Sequence, residues 1–140
     1  MRQKHLVRMG MIKTIAKNTF RKIFKNLALD EELNCPVEEV QIVISFENGE
    51  HRYDVYKNFK RVKQIQLDNY VGAVVDFTGG TSVIETTIAQ SGAKYAKECN
   101  GRVDDISIVM RNKVDGLPDC ALMNGSSRVR KIDIENEFLN

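Results

Sequence analysis

One stretch of the chain has residue types suited to binding an anion: a glycine-rich turn between a predicted strand and a predicted helix. The run from Val71 to Phe77 is short and almost wholly apolar, as in a buried strand. Ser82 followed by Glu85 forms a capping box that opens a predicted helix ending near Cys99. N–H groups and the helix dipole at such a turn can hold a phosphate. One hypothesis is therefore a nucleotide-binding protein or enzyme whose site is Asp76, Thr78, Gly79, Gly80, Thr81 and Ser82.

The same turn also has a structural interpretation, which we favour: two glycines that permit a tight turn ahead of a capped helix. The chain has no GxGxxG motif and no lysine in the Walker position. The string DFTGGTS resembles the strand-to-helix turn of CARF domains, which sense cyclic oligonucleotides, over seven of the 140 residues. The resemblance implies a nucleotide ligand at this turn. The antiparallel hairpin predicted ahead of it departs from the parallel pattern of that family, and we identify no family.

A second candidate is the segment 56–63, in which basic residues are interleaved with Tyr56 and Phe59. Such a segment can contact phosphates with its cations while its rings stack on bases. Beside a basic N-terminal helix it would form a nucleic-acid or anion-binding surface of Lys13, Lys17, Arg21, Lys25, Lys57, Lys60, Arg61 and Lys63. We favour the alternative of a solvated connection with Phe59 turned into the core, because the body of the chain is acidic and would repel nucleic acid.

Catalytic and metal-binding patterns are sparse. We interpret His51, predicted to face Phe46 across a hairpin near Asp54, as a sheet histidine and not a base. The acidic pair at 104–105 follows a helix-terminating glycine and is interpreted as turn chemistry. We predict no catalytic residue, no metal and no cofactor. The chain has three widely spaced cysteines, Cys35, Cys99 and Cys120. We interpret them as core thiols of a protein in a reducing compartment.

Charge divides the chain. Eight of the 21 basic residues and none of the 19 acidic residues lie in the first 29 positions, so the remainder is net acidic. Apolar residues recur every three or four positions from Ile12 to Leu27, which predicts an amphipathic helix ending near Leu29. Its functional interpretations are a membrane-surface helix, a nucleic-acid arm or a partner-binding helix. We give equal weight to the alternative that the helix packs on the chain's own sheet. The partner-binding stripe is Ile15, Phe20, Ile23 and Phe24.

Most of the elements predicted after the N-terminal helix are strands. Alternation from Val40 to Phe46 runs into Asn48-Gly49, a hairpin signal whose register pairs Phe46 with His51, Ile44 with Tyr53 and Ile42 with Val55. Further strands are predicted at 62–67, 71–77 and 106–110, and a second hairpin joins 121–123 to 129–134. No internal repeat is evident. These elements predict an α+β fold with a mostly antiparallel sheet of about five to seven strands.

We predict two parts, a basic amphipathic segment at 1–29 and a single α+β domain at 30–140. The leading hypothesis is a non-catalytic binding or assembly subunit of a larger homomeric complex, such as a phage virion or neck. Its expected partners are copies of itself or other protein subunits, with nucleic acid as the alternative. No stretch is long and apolar enough to span a bilayer. The expected location is the cytoplasm or a particle assembled inside the cell.

Overall fold

A computed structural model describes the backbone of residues 2–71 and 82–139 and the side chains of residues 13–71 and 85–139. The helices are α1 (Arg2–Leu29), α2 (Ser82–Glu98) and α3 (Ile134–Phe138). The strands are β1 (Val40–Glu47), β2 (Glu50–Lys57), β3 (Lys60–Ile65), β4 (Ile106–Arg111), β5 (Asp119–Asn124) and β6 (Ser127–Ile132). The predicted α+β class is confirmed. The strand predicted at 71–77 and the glycine turn at 78–81 fall outside the described residues, apart from Val71 itself.

The first hairpin has the predicted register. Phe46 pairs with His51, Ile44 with Tyr53 and Ile42 with Val55. Asn48 and Gly49 both have positive φ, 52° and 78°, as a two-residue hairpin turn of this hand requires. The side chains of Ile42 and Ile44 are fully buried. The alternation of apolar residues therefore determined which face of β1 lies in the core.

All the strand pairs are antiparallel, and the order across the sheet is β3-β2-β1-β4-β5-β6. Apolar residues of α1 and α2 join one core with the face of the sheet that carries Ile42 and Ile108. The α1 residues in that core are Ala16, Phe20, Ile23, Phe24, Leu27 and Ala28. In the structure, α1 therefore packs on the chain's own sheet, which is one of the alternatives given by the sequence. The predicted division at residue 29 stays a prediction.

The sheet consists of two similar halves. Each half is a short 3-10 turn followed by three antiparallel strands, β1-β2-β3 and β4-β5-β6, and each follows a helix. The halves meet where β1 pairs with β4, and Val43 lies directly opposite Val109. Each half also has a register shift at the same place, between Val55 and Tyr56 in one and between Leu122 and Met123 in the other. An approximate two-fold axis therefore passes between Val43 and Val109.

The sequence carries traces of this repeat, which corrects the expectation that none exists. The segment VEEVQIV at 37–43 corresponds to VDDISIV at 103–109, and RVK at 61–63 corresponds to RVR at 128–130. The similarity is easily missed because the β1–β2 turn has two residues, whereas seven residues separate β4 from β5. Other differences from prediction are small. Strand β3 begins at Lys60, and the short helix α3 follows β6.

Candidate interaction surface on the open face of the sheet

The second face of the sheet, which we call the open face, carries three cross-strand rows of side chains. The strand registers define each row. The central row is Gln64, Asp54, Val43, Val109, Ala121 and Lys131. One outer row is Arg61, Tyr56, Gln41, Arg111 and Asp119, and the other is Arg52, Ser45, Ser107, Met123 and Arg128. Among the described elements, none packs over this face.

The open face has an apolar floor. Val43, Val109, Ala121 and Met123 are only partly buried, although they lie at the centre of a six-stranded sheet. Together with Tyr56 and Phe59 they line a shallow depression of about 700 Å³. Its charged rim is formed by Arg111, Asp119, Arg128 and Lys131. An apolar surface rimmed by charge is typical of a site that contacts a partner or ligand.

A buried carboxylate holds two arginines on the open face in the first half. The side chain of Asp54 is 4% exposed and accepts hydrogen bonds from Arg52 Nε at 2.9 Å and Arg61 Nε at 3.0 Å. A buried carboxylate is stable only when it is paired in this way. Both arginines are held by the chain itself. In the first half, the two cations nearest Asp54 are therefore engaged internally.

The second half lacks that carboxylate. The repeat places Ala121 where the first half has Asp54, and Arg128 where it has Arg61. Lys131 lies directly opposite Ala121 and is 3.8 Å from Asp119, a contact between exposed side chains. Among the described residues, no carboxylate lies within ion-pair distance of Arg128. The depression and the excess positive charge thus coincide in the second half.

Phe59 stands at the edge of this depression, which corrects the expectation that its ring turns into the core. The residue is 73% exposed and adopts φ 66° at the tip of the β2–β3 turn. Positive φ is unusual for a bulky side chain, and such strain is often found at functional positions. The Arg111 guanidinium carbon lies 5.4 Å from the centre of the Phe59 ring. With its amide oxygen directed at Arg111, Gln41 accepts hydrogen bonds from that guanidinium at 2.9 and 2.8 Å.

The predicted partner-binding stripe lies against the sheet. Phe20 is 1% exposed, and Ile23 and Phe24 are fully buried in the core, while Ile15 is partly buried. These contacts belong to the fold, and a role of the stripe in binding a partner stays a prediction. Sequence periodicity finds an apolar stripe but does not say whether its own sheet or another subunit covers it.

Several of the basic residues of α1 are engaged by other parts of the chain, and the joint surface that they were expected to form with segment 56–63 stays a prediction. Lys13 pairs with Glu135 at 2.9 Å, and Arg21 donates to the carbonyl of Val114 at 3.1 Å. Lys17 lines a second depression of about 600 Å³ that also contains Asp115, Asp119 and Glu135, whereas Lys25 is exposed.

The basic residues of 56–63 are divided between the two faces of the sheet. Lys57 donates to the carbonyl of Leu33 at 2.9 Å, and Lys63 pairs with Asp30 at 2.6 Å. Both contacts lie on the helix side, whereas Arg61 binds Asp54 on the open face. Lys60 is exposed. Three of these four cations are therefore held by the chain, and the nucleic-acid hypothesis stays untested.

The predicted nucleotide site lies mostly outside the described residues. Asp76, Thr78, Gly79, Gly80 and Thr81 are not described, and of Ser82 only the backbone is, at the first residue of α2. His51 stacks edge-on against Tyr53 with ring centres 5.2 Å apart, and burial lowers its pKa. Burial raises the pKa of the Cys120 thiol, and the described part of the chain contains no cluster of His, Cys, Asp or Glu able to hold a metal ion.

No helix among the described residues has the length and apolar character needed to cross a bilayer. Comparison with family models, with curated proteins and with solved structures finds no match to this chain.

Sequence reasoning missed the open face as a site. The alternation of β1 showed which residues face the core, and the same pattern assigns Gln41, Val43 and Ser45 to the other face. The available signal was the presence of two valines and a methionine on the face that the described helices leave uncovered. Recognising it required knowing that α1 and α2 pack on the same side of the sheet.

Proposed function

We propose that this protein is a non-catalytic binding or assembly subunit whose contact surface is the open face of its sheet. The observation that supports this proposal is the apolar floor of Val43, Val109, Ala121 and Met123, which the described elements leave uncovered. Antiparallel sheets often have one solvent-exposed face, but the side chains of such a face are normally polar. The apolar floor supports the proposal because contact with another subunit would remove it from water.

A larger homomeric complex is the setting that we propose for such a subunit, with a phage virion or neck as one example. The projected area of a sheet of this size is roughly 24 Å by 20 Å, about 500 Å². Stable interfaces bury about 800 Å² on each partner. The area of the sheet alone is therefore enough for reversible association between two subunits. A larger assembly would be more stable because the same contact is repeated between its subunits.

Val109→Arg tests the proposal because it places a long charged side chain at the centre of the open face. We expect this variant to lose self-association, measured as molar mass by light scattering at high protein concentration. Val114→Arg is the matched control, since Val114 is 69% exposed on the β4–β5 loop, away from the floor. Equal mass for Val109→Arg and the parent chain under associating conditions would contradict the proposal.

A further inference from the structure

The two-fold relation between the halves shows what the depression lacks. In the first half the Asp54 carboxylate fills the position between Arg52 and Arg61, and its side chain is almost fully buried. In the second half the corresponding residue is Ala121, whose methyl group leaves that volume empty. The repeat keeps Arg61 as Arg128, but it replaces Arg52 by Asp119 and Gln64 by Lys131. The depression therefore lacks the buried carboxylate of the first half, and Arg128 and Lys131 line it together with the exposed carboxylate of Asp119.

The charge of the open face excludes simple stacking of two open faces. The three rows contain five cations and two carboxylates, and one of these carboxylates, Asp54, is buried and shared by two arginines. Two such faces would therefore repel each other. The occupant must bring acidic groups, and an apolar group to contact the floor.

The chain carries such a surface between α1 and β1, which we call the acidic connector: residues 29–39. Leu29 is 71% exposed, and Glu31, Glu32 and Glu38 of the same connector are exposed, with Glu32 Oε1 3.5 Å from Lys63 Nζ. The connector lies on the helix side of the sheet, because Lys63 of β3 holds Asp30 and Lys57 of β2 holds the Leu33 carbonyl. The sheet separates it from the depression of the same chain.

We propose that the depression binds the acidic connector of a second copy, whose glutamates take the position that Asp54 occupies in the first half. This inference rests on the proposed function and names its partner. Leu29 contacts the apolar floor, and Glu31 and Glu32 pair with Arg128 and Lys131. The connector and the depression are different surfaces, so each copy retains one of each, and association can continue beyond two copies.

Ala121→Asp is the direct test, because it supplies the missing carboxylate from within the chain. We expect it to weaken self-association about tenfold or more while leaving the melting temperature unchanged. Ala121→Asn is the matched control, since it fills nearly the same volume without the charge, and it should associate more strongly than Ala121→Asp. Association of Ala121→Asp equal to that of Ala121→Asn would overturn the inference.

Complementation gives a second test that does not depend on how position 121 folds. Arg128→Glu removes the binding surface, and Glu31→Gln with Glu32→Gln removes the acidic one, all at exposed positions. Each variant alone should be monomeric by sedimentation velocity, and an equimolar mixture should form a two-chain species. A mixture that stays monomeric overturns the inference. If Val109→Arg abolishes association but these charge variants do not affect it, the open face is the interface and only the inference fails.

Discussion

At the scale of single residues, one ion pair in each half fastens the third strand to the end of the preceding helix. Lys63 of β3 binds Asp30 just after α1 at 2.6 Å, and Arg130 of β6 binds Glu98 at the end of α2 at 2.8 Å. The hydrogen bond from Lys63 lowers the pKa of Asp30, and that from Arg130 lowers the pKa of Glu98. The repeat therefore preserves a charged contact as well as a topology.

Asp30→Asn should destabilise the protein in a pH-dependent way. The pKa of Asp30 lies below its ordinary value of 3.8, so its contribution is fully present above that pH and fades as pH falls through the folded-state pKa. Urea unfolding from pH 7 to pH 2.5 should show a gap between parent and variant that closes only in acid. Glu31→Gln controls for lost charge in this segment. A gap that widens as pH falls would contradict this assignment.

Single-residue roles were the hardest part to predict from sequence. The pairing of Asp54 with Arg52 and Arg61 depends on strand register and on a bulge in β3, which shifts Arg61 into line with Tyr56. Phe59 looked like a core residue because it is large and apolar. It is exposed because a two-residue turn places its side chain at the tip of a hairpin.

At the scale of elements, short sequence motifs predicted the features that depend on residues close together in the chain. Asn48-Gly49 set the turn and the register of β1 with β2, apolar spacing indicated α1, and the capping box of Ser82 and Glu85 indicated α2. The pairing of β1 with β4 could not be predicted, because it joins residues far apart in the chain, such as Val43 and Val109, which no local motif relates. That pairing creates the floor, since it brings Val43 and Val109 together.

Gly92→Ala should test how α2 packs on β1. A Cβ atom at Gly92 would lie 2.6 Å from a ring carbon of Phe46, which is itself 3% exposed. Overpacking of this kind costs about 1–3 kcal/mol, against about 1 kcal/mol gained from the helix propensity of alanine. Thermal unfolding should therefore show lower stability. Gln90→Ala, at an exposed position of the same helix, should show none of this loss, and a stabilised Gly92→Ala protein would contradict the packing.

At the scale of the whole molecule, the charge split of the sequence is partly resolved inside the fold. Lys13 and Arg21 of α1 contact the body of the same chain. Because α1 contributes Phe20, Ile23 and Phe24 to the core, removing residues 1–29 would expose the sheet that they cover. Point variants on the open face are therefore the cleaner way to test assembly. Sequence composition revealed the charge imbalance but not its distribution between two faces of a sheet.

Self-association through the open face is tested most directly by sedimentation velocity of the unmodified chain across a series of protein and salt concentrations. We predict that the average sedimentation coefficient rises with protein concentration. We also predict that the rise weakens from low to moderate salt, because exposed charges farther apart than about 8 Å are screened at physiological ionic strength. A chain that sediments as a monomer at every protein and salt concentration would contradict the proposal that the open face joins copies of this protein.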